Sequence, residues 1–208
     1  MNETKRILDE LDKIDQEGGG ADPSTFDEFK IFIDGSNTDQ AKTVKKKHLR
    51  RGGIGIYHPD SNTRIAEPFP LPNPTNNRAE YWACIRALKW VLQETEDIGL
   101  AKQSKIKVIL YSDSMLVINS MTKWVPGWKR RGWKKSDGKP VLNKELIVEL
   151  DNLISNRLPL TKFVKVKAHQ KKPRDPAKVW FWKGNFIADK LAEEGRMMAS
   201  MMDSDSSM

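Results

Sequence analysis

Residues 29–35, FKIFIDG, place Phe29, Ile31 and Ile33 on one face of an extended segment and end on an acid and a glycine. That period-two pattern predicts a strand packed on a core. Reading outward, GGIGIYH (52–58) and TRIAEPF (63–69) read as two more strands, joined by the turn sequence HPDSN. The proline-broken stretch PFPLPNPTNNR (68–78) excludes regular structure over most of its length. Tyr81, Ile85, Leu88 and Leu92 then recur at helical spacing in NNRAEYWACIRALKWVLQE (76–94), with Asn76 as the expected N-cap. SKIKVILYSD (104–113) predicts a fourth strand and SMLVINSMTKW (114–124) a short helix. NKELIVELDNLISN (143–156) predicts an amphipathic helix with Leu146, Leu150 and Leu153 in register. TKFVKVKAH (161–169) predicts a fifth strand, and GNFIADKLAEEGRMM (184–198) a closing helix. Short turns between the first three strands favour an antiparallel meander, whereas helical connections to the later strands favour parallel pairing. The expected fold is therefore α/β, a mixed five-stranded sheet flanked by helices.

The chain has 208 residues, of which 38% are hydrophobic and 31% charged, with a formal net charge of +8. This suits one domain with short extensions. The charge is unevenly spread. Residues 1–28 carry three Lys/Arg against nine Asp/Glu, and residues 193–208 carry one against four, which leaves +17 for residues 29–192. Such a basic middle predicts a polyanionic partner. The expected organisation is an acidic, flexible extension over 1–28, a compact domain over 29–198 and a disordered tail over 199–208. In the extension, Ile7, Leu8, Leu11 and Ile14 share a helical face before the linker-like EGGGADPS. That helix either docks weakly or serves as a partner-binding arm. The single cysteine, Cys84, allows no intramolecular disulfide and fits a reducing compartment. There is no apolar run of membrane-spanning length and no secretory signal, so the expectation is an intracellular protein with no membrane association.

Three carboxylates fall where carboxylates are costly. Asp34 ends the apolar run 31–33, Asp113 ends VILYS, and Glu80 lies in the first turn of the helix that follows the prolines. Burial of such groups costs free energy unless something compensates it. Taken singly, Asp34 before Gly35 could make a turn and Asp113 could cap a helix. Two such acids closing strands that could be neighbours favour a hard divalent cation. Magnesium takes oxygen ligands, and a pair of such ions about 3.5–4 Å apart can clamp both oxygens of a phosphodiester in hydrolysis. No Walker-type glycine loop, Cys/His zinc spacing or nucleophile elbow competes with this constellation.

The segments FIDGS, TNNRAE, YSDS, KAH and GNFIADKLA occur in the order found in the ribonuclease H family, and WVPGWKRRGWKKSDGKPV resembles the basic handle of bacterial and some eukaryotic type 1 members. The resemblance covers about residues 29–195. It implies an endonuclease that hydrolyses the RNA strand of RNA–DNA hybrids with two Mg²⁺ ions, Mn²⁺ being a possible substitute, and leaves 5′-phosphate and 3′-hydroxyl ends. It implies Asp34, Glu80, Asp113 and Asp189 as metal-binding catalytic carboxylates and His169 as a residue that shuttles protons or aids product release. It further implies hybrid contacts by Thr75, Asn76, Asn77, Ser114 and Asn185. The handle, about 124–141, would add Trp124, Trp128, Lys129, Arg130, Arg131, Lys134 and Lys135. Read as residues alone, Asn76 and Asn77 also suit helix capping, and the tryptophans suit packing anchors as well as base stacking. A monomer with no small-molecule cofactor is expected.

The chain also departs from the family pattern. The glycine-rich turn usual after the first aspartate is replaced by TDQAKTVKKKHLRR, whose Lys45, Lys46, Lys47, Arg50 and Arg51 either add phosphate contacts or form a solvated loop. Met115 stands where a Gln or Ser is common. The stretch between His169 and Asp189 is roughly twice the family's usual length, and its Trp180, Phe181 and Trp182 either seal the domain or stack on substrate. Residues 1–28 are too short and acidic for the hybrid-binding domain of eukaryotic members. Other readings are a binding module without catalysis, a reverse-transcriptase nuclease domain, and an integrase-like DNA enzyme. The presence of all four carboxylates argues against the first, the absence of polymerase motifs against the second, and TNNRAE with the handle against the third.

Overall fold

A computed structural model describes residues 27–38, 50–168 and 170–205, with side chains to residue 201. Strands β1 (Glu28–Asn37), β2 (Gly52–His58) and β3 (Thr63–Pro68) form the antiparallel meander. After the prolines comes α1 (Asn76–Glu94), then a 3-10 turn, the short α2 (Leu100–Gln103) and β4 (Lys107–Ser112). Helix α3 (Met115–Asn119), a π turn (Ser120–Trp124) and α4 (Val125–Arg130) lead through the handle to α5 (Lys144–Asn156). Then come β5 (Leu160–Lys165) and the long α6 (Pro176–Asp205). The sheet order is β3-β2-β1-β4-β5, with β1–β4 and β4–β5 parallel. This is the mixed sheet read from the sequence.

Alternation along β1 sorts the two layers. Phe29, Ile31 and Ile33 are fully buried with Ile54, Ile56, Val108 and Leu110 against α1 and α5. Phe32 faces the other way, with Tyr57, Tyr111 and Ile187 beneath α6. Strand β2 lies unusually close to α6, because Gly55 has no side chain there. A Cβ at Gly55 would sit 2.0 Å from the Ala188 carbonyl oxygen and 2.5 Å from the Ala192 nitrogen. Trp180 closes the α6 layer, its ring 4.9 Å from Phe32 and 5.4 Å from Tyr111. Of the two roles open to it, Trp180 takes the sealing one.

Several boundaries differ from those read in the sequence. Thr75, not Asn76, is the N-cap of α1, its hydroxyl accepting from the Arg78 amide at 3.3 Å. Asparagine is on average the better cap, but the preference is too small to fix which of two neighbours sits where the chain turns into the helix. Helix α6 begins at Pro176 rather than near Gly184, because Asp175 accepts from the Ala177 amide at 3.1 Å and Pro176 occupies the first turn, where its missing N–H costs nothing. The same helix continues to Asp205, through residues 199–205 of the expected disordered tail. Glu28, expected at the end of the flexible extension, is the first residue of β1; residues 1–26, residues 39–49 with Lys45, Lys46 and Lys47, and His169 lie outside the described residues.

His58, at the end of β2, is fully buried beside Phe29 and Trp90 and shares a 2.8 Å hydrogen bond with the Ser61 hydroxyl. Burial lowers its pKa from 6.5 to about 4, against a small opposing pull from Asp60. The unfolded chain therefore takes up this proton near pH 6.5, whereas the folded chain resists it until about 4. Stability from neutral His58 is present above 6.5 and is lost as pH falls toward 4, by about 3 kcal/mol in all. Denaturation midpoints followed across that window should fall more steeply for the parent than for His58→Gln. Parallel curves for the two proteins would show that His58 is not a buried neutral group.

Candidate metal centre

Parallel pairing brings the first two acids together. Phe32 on β1 is in register with Tyr111 on β4, and Asp34 and Asp113 each follow two residues later, at the same ends of adjacent strands. Helix α1 supplies the third. Gly35 has no side chain where a Cβ would be 2.4 Å from the Glu80 nitrogen, so α1 rests directly on β1 at Glu80, which is the fifth residue of the helix and lies past the first turn expected for it. One oxygen from each of Asp34, Glu80 and Asp113 lies within 4.8 Å of the others.

Asp189 on α6 joins these three in lining a cavity of about 120 Å³, together with Asn76, Ser36 and Glu193. It lies outside the tight triad and forms a 3.4 Å ion pair with Lys190. Glu193 is a fifth carboxylate that the sequence reading did not single out. Its signal was available, since it lies four residues after Asp189 on the same helical face. Lys165 is a second such residue. It sits at the end of β5, and its ammonium donates to the Asp113 carbonyl.

Electrostatics mark the triad as incomplete. Burial, then the charges of Asp113 and Asp189, push the Asp34 carboxyl well above the usual carboxylate range. Burial, then Asp34 and Asp113, do the same to Glu80. Both are only 7% exposed, and Glu80 Oε2 is buried without a hydrogen-bond partner. Crowded, buried, partly unpaired carboxylate oxygens fit a hard divalent cation, which would replace the lost hydration and cancel the repulsion.

The other residues named from the sequence fall into three groups around this centre. At the N-terminus of α1, Thr75 caps, Asn76 lines the cavity and has a buried Oδ1 without a hydrogen-bond partner, and Asn77 is exposed. Ser114 caps α3 through the Val117 amide, and buried Asn185 lines a second cavity beside Asp189. The handle stands apart. Trp128 is buried at its root, Trp133 packs against the main core, and Trp124 is 39% exposed with its ring 5.6 Å from Trp128. Trp128 is thus a packing anchor, while Trp124 keeps an open face. Lys129 pairs with Asp151 of α5, and Lys135 lies 3.9 Å from Asp137. Arg130, Arg131 and Lys134 are exposed, the Arg131 Nε donating to the Lys134 carbonyl at 3.2 Å.

Comparison with known proteins gives a consistent picture. The RNase H family model matches residues 27–197. The chain is 36% identical over 162 residues to Ribonuclease H1 of Homo sapiens, an alignment covering 76% of this chain and 48% of that protein. It is 40% identical over 181 residues to Ribonuclease H of Nitrosomonas eutropha, covering 83% and 91%. The chain thus spans about half the length of the mammalian relatives it matches. Among solved structures, the PFV RNase H domain superposes with a TM-score of 0.60 at 26% identity, covering 82% of this chain and 94% of that one. LC11-RNase H1, solved in complex with RNA/DNA hybrid, shares the fold with a TM-score of 0.53 at 22% identity, over 82% and 98%.

Proposed function

The chain belongs to the ribonuclease H family, and on that premise we propose that it hydrolyses the RNA strand of RNA–DNA hybrids. The observation that carries this reading is the convergence of Asp34, Glu80 and Asp113 on one buried spot with an unpaired Glu80 oxygen. These three, with Asp189, would hold two Mg²⁺ ions, or Mn²⁺ in their place. Bound there, the ions would supply positive charge for the attacking and departing oxygens of an in-line phosphodiester hydrolysis that leaves 5′-phosphate and 3′-hydroxyl ends.

The protein's own groups supply position. Thr75, Asn76 and Asn77 present the N-terminus of α1 to the nucleic-acid backbone, where amide N–H groups and the helix dipole favour phosphate. Ser114 and Asn185 flank the carboxylates and are assigned to the substrate on either side of them. Distinguishing RNA from DNA requires sensing 2′-hydroxyls on one strand only, which suits short polar side chains working through a minor groove. His169 is assigned to shuttling protons or aiding product release, chemistry an imidazole can perform. The reading is of a monomer that needs no organic cofactor.

Lys129, Arg130, Arg131, Lys134 and Lys135 are assigned to phosphates of the hybrid away from the scissile bond, with the open face of Trp124 beside them and Trp128 as the packed base that holds them outward. Each phosphate neutralised by a cation adds about one unit to the slope of log affinity against log salt. Arg130→Ala combined with Arg131→Ala should therefore flatten that slope by roughly two and weaken binding most at low salt. An unchanged slope would remove the handle from the interface.

The assay for the proposal is incubation with end-labelled hybrid, double-stranded RNA and duplex DNA, with magnesium or with EDTA. Cutting of the RNA strand of the hybrid alone, abolished by EDTA, is the expected result. Cutting of duplex DNA, or no cutting of the hybrid with magnesium present, would overturn the reading.

A further inference from the structure

The segment between β5 and the middle of α6 carries features that the metal centre does not use. A pocket of about 500 Å³ opens there, with Phe181 and Trp182 on one side and Lys165, Lys167 and Lys178 around it. Its size is that of a small-molecule site rather than a packing defect. Phe181 is 41% exposed, yet it is held edge-on by Tyr111 and Trp180 at 5.7 and 5.0 Å. The Trp182 indole donates to the Gln170 carbonyl at 2.9 Å and stacks on Phe186, so its orientation is fixed. Rigid aromatic walls ringed by lysines suit a base and its phosphate, because every base offers a π face and every phosphate a charge.

The pocket is linked to the carboxylates by shared lining residues. Lys167, Gln170 and Trp182 also line the adjoining cavity that contains Asn185 and Asp189, and Asp189 in turn lines the cavity of Asp34 and Glu80. A strand with its scissile phosphate at the metal centre would thus find a basic, aromatic path leading away from it. Bases inside a duplex already have both faces stacked, so only an unpaired nucleotide can fill such a pocket.

We propose that this pocket seats one unpaired nucleotide of the cleaved strand, its base on Phe181 and Trp182 and its phosphate on Lys167 and Lys178. The proposal rests on the hybrid-cleavage reading for the identity of the strand, and it extends that reading to hybrids with a single-stranded RNA end. The test compares affinities, in EDTA so that nothing is cut, for a blunt hybrid and for the same hybrid with a four-nucleotide RNA overhang at either end. The parent should bind one overhang form roughly tenfold more tightly than the blunt form, the scale of one base stacked on an aromatic side chain. Phe181→Ala should remove that preference and Lys178→Ala should reduce it, with blunt-hybrid affinity unchanged in both. No overhang preference in the parent, or a preference kept by both variants, would overturn the proposal. Cleavage of the blunt hybrid with magnesium is measured alongside, so that failure of the enzyme reading shows separately from failure of the pocket.

Discussion

Asp34→Asn is expected to lower hybrid cleavage by roughly three orders of magnitude while leaving the fold intact. Asp34 lies within 4.8 Å of both Glu80 and Asp113 and lines one cavity with Asp189. Losing its charge removes several kcal/mol of the electrostatic stabilisation a bound cation would provide, and each 1.36 kcal/mol is tenfold in rate. The same change should not unfold the protein. The carboxyl is pushed up by burial and by Asp113 and Asp189, so the folded state binds its proton more tightly than the unfolded chain does. The stability linked to that proton is present below the ordinary carboxylate pKa and is lost as pH rises through the raised value. Without metal, the crowded carboxylates therefore cost stability as they lose their protons, and an asparagine at position 34 removes that cost. Thermal melts in EDTA should give the variant a Tm equal to or above the parent's, and the parent alone should gain markedly from magnesium. A variant that melts well below the parent in EDTA would show that Asp34 is structural.

Gly55→Val should destabilise the protein by roughly 3 kcal/mol or more, or prevent folding. The contact at stake is backbone against backbone. A Cβ at Gly55 meets the Ala188 carbonyl oxygen at 2.0 Å, and neither group can turn aside as a flexible side chain would. Helix α6 must then lift from β2, and Asp189, the next residue after Ala188, moves with it. Any folded fraction should accordingly cleave hybrid poorly even at saturating magnesium. Urea denaturation measures the effect, and a midpoint close to the parent's would mean that α6 does not sit on β2 at this distance.

These two positions differ in how plainly the sequence displays them. Asp34 and Asp113 were legible because each ends an apolar run that can only be a buried strand, and Glu80 because the helix it opens has strong periodicity. Parallel pairing of β1 with β4 followed from the helical connection between them, and that pairing is what sets the acids side by side. Gly55 was legible as part of a strand but not as a seat for α6, since a close approach depends on a partner 133 residues away, at Ala188. The start of α6 was missed although Asp175-Pro176 is a cap followed by a first-turn proline, because the basic, aromatic run after it lacks an amphipathic period. Asn76 was expected as the cap of α1 because asparagine is the better cap on average, but Thr75 takes the role, since a one-residue shift in where the helix starts leaves no mark in the side-chain pattern. Glu193 and Lys165 escaped notice because an acid or a lysine on an exposed face is ordinarily only solvated, and what sets them apart is their place beside Asp189 and the Asp113 carbonyl.

The account depends on the buried carboxylates sharing a cation, and crystals grown with manganese test that most directly. An anomalous difference map should show a strong peak between Asp34, Glu80 and Asp113, lost in Asp34→Asn crystals grown alike. A fully ordered triad with no manganese peak, at millimolar metal and neutral pH, would contradict it.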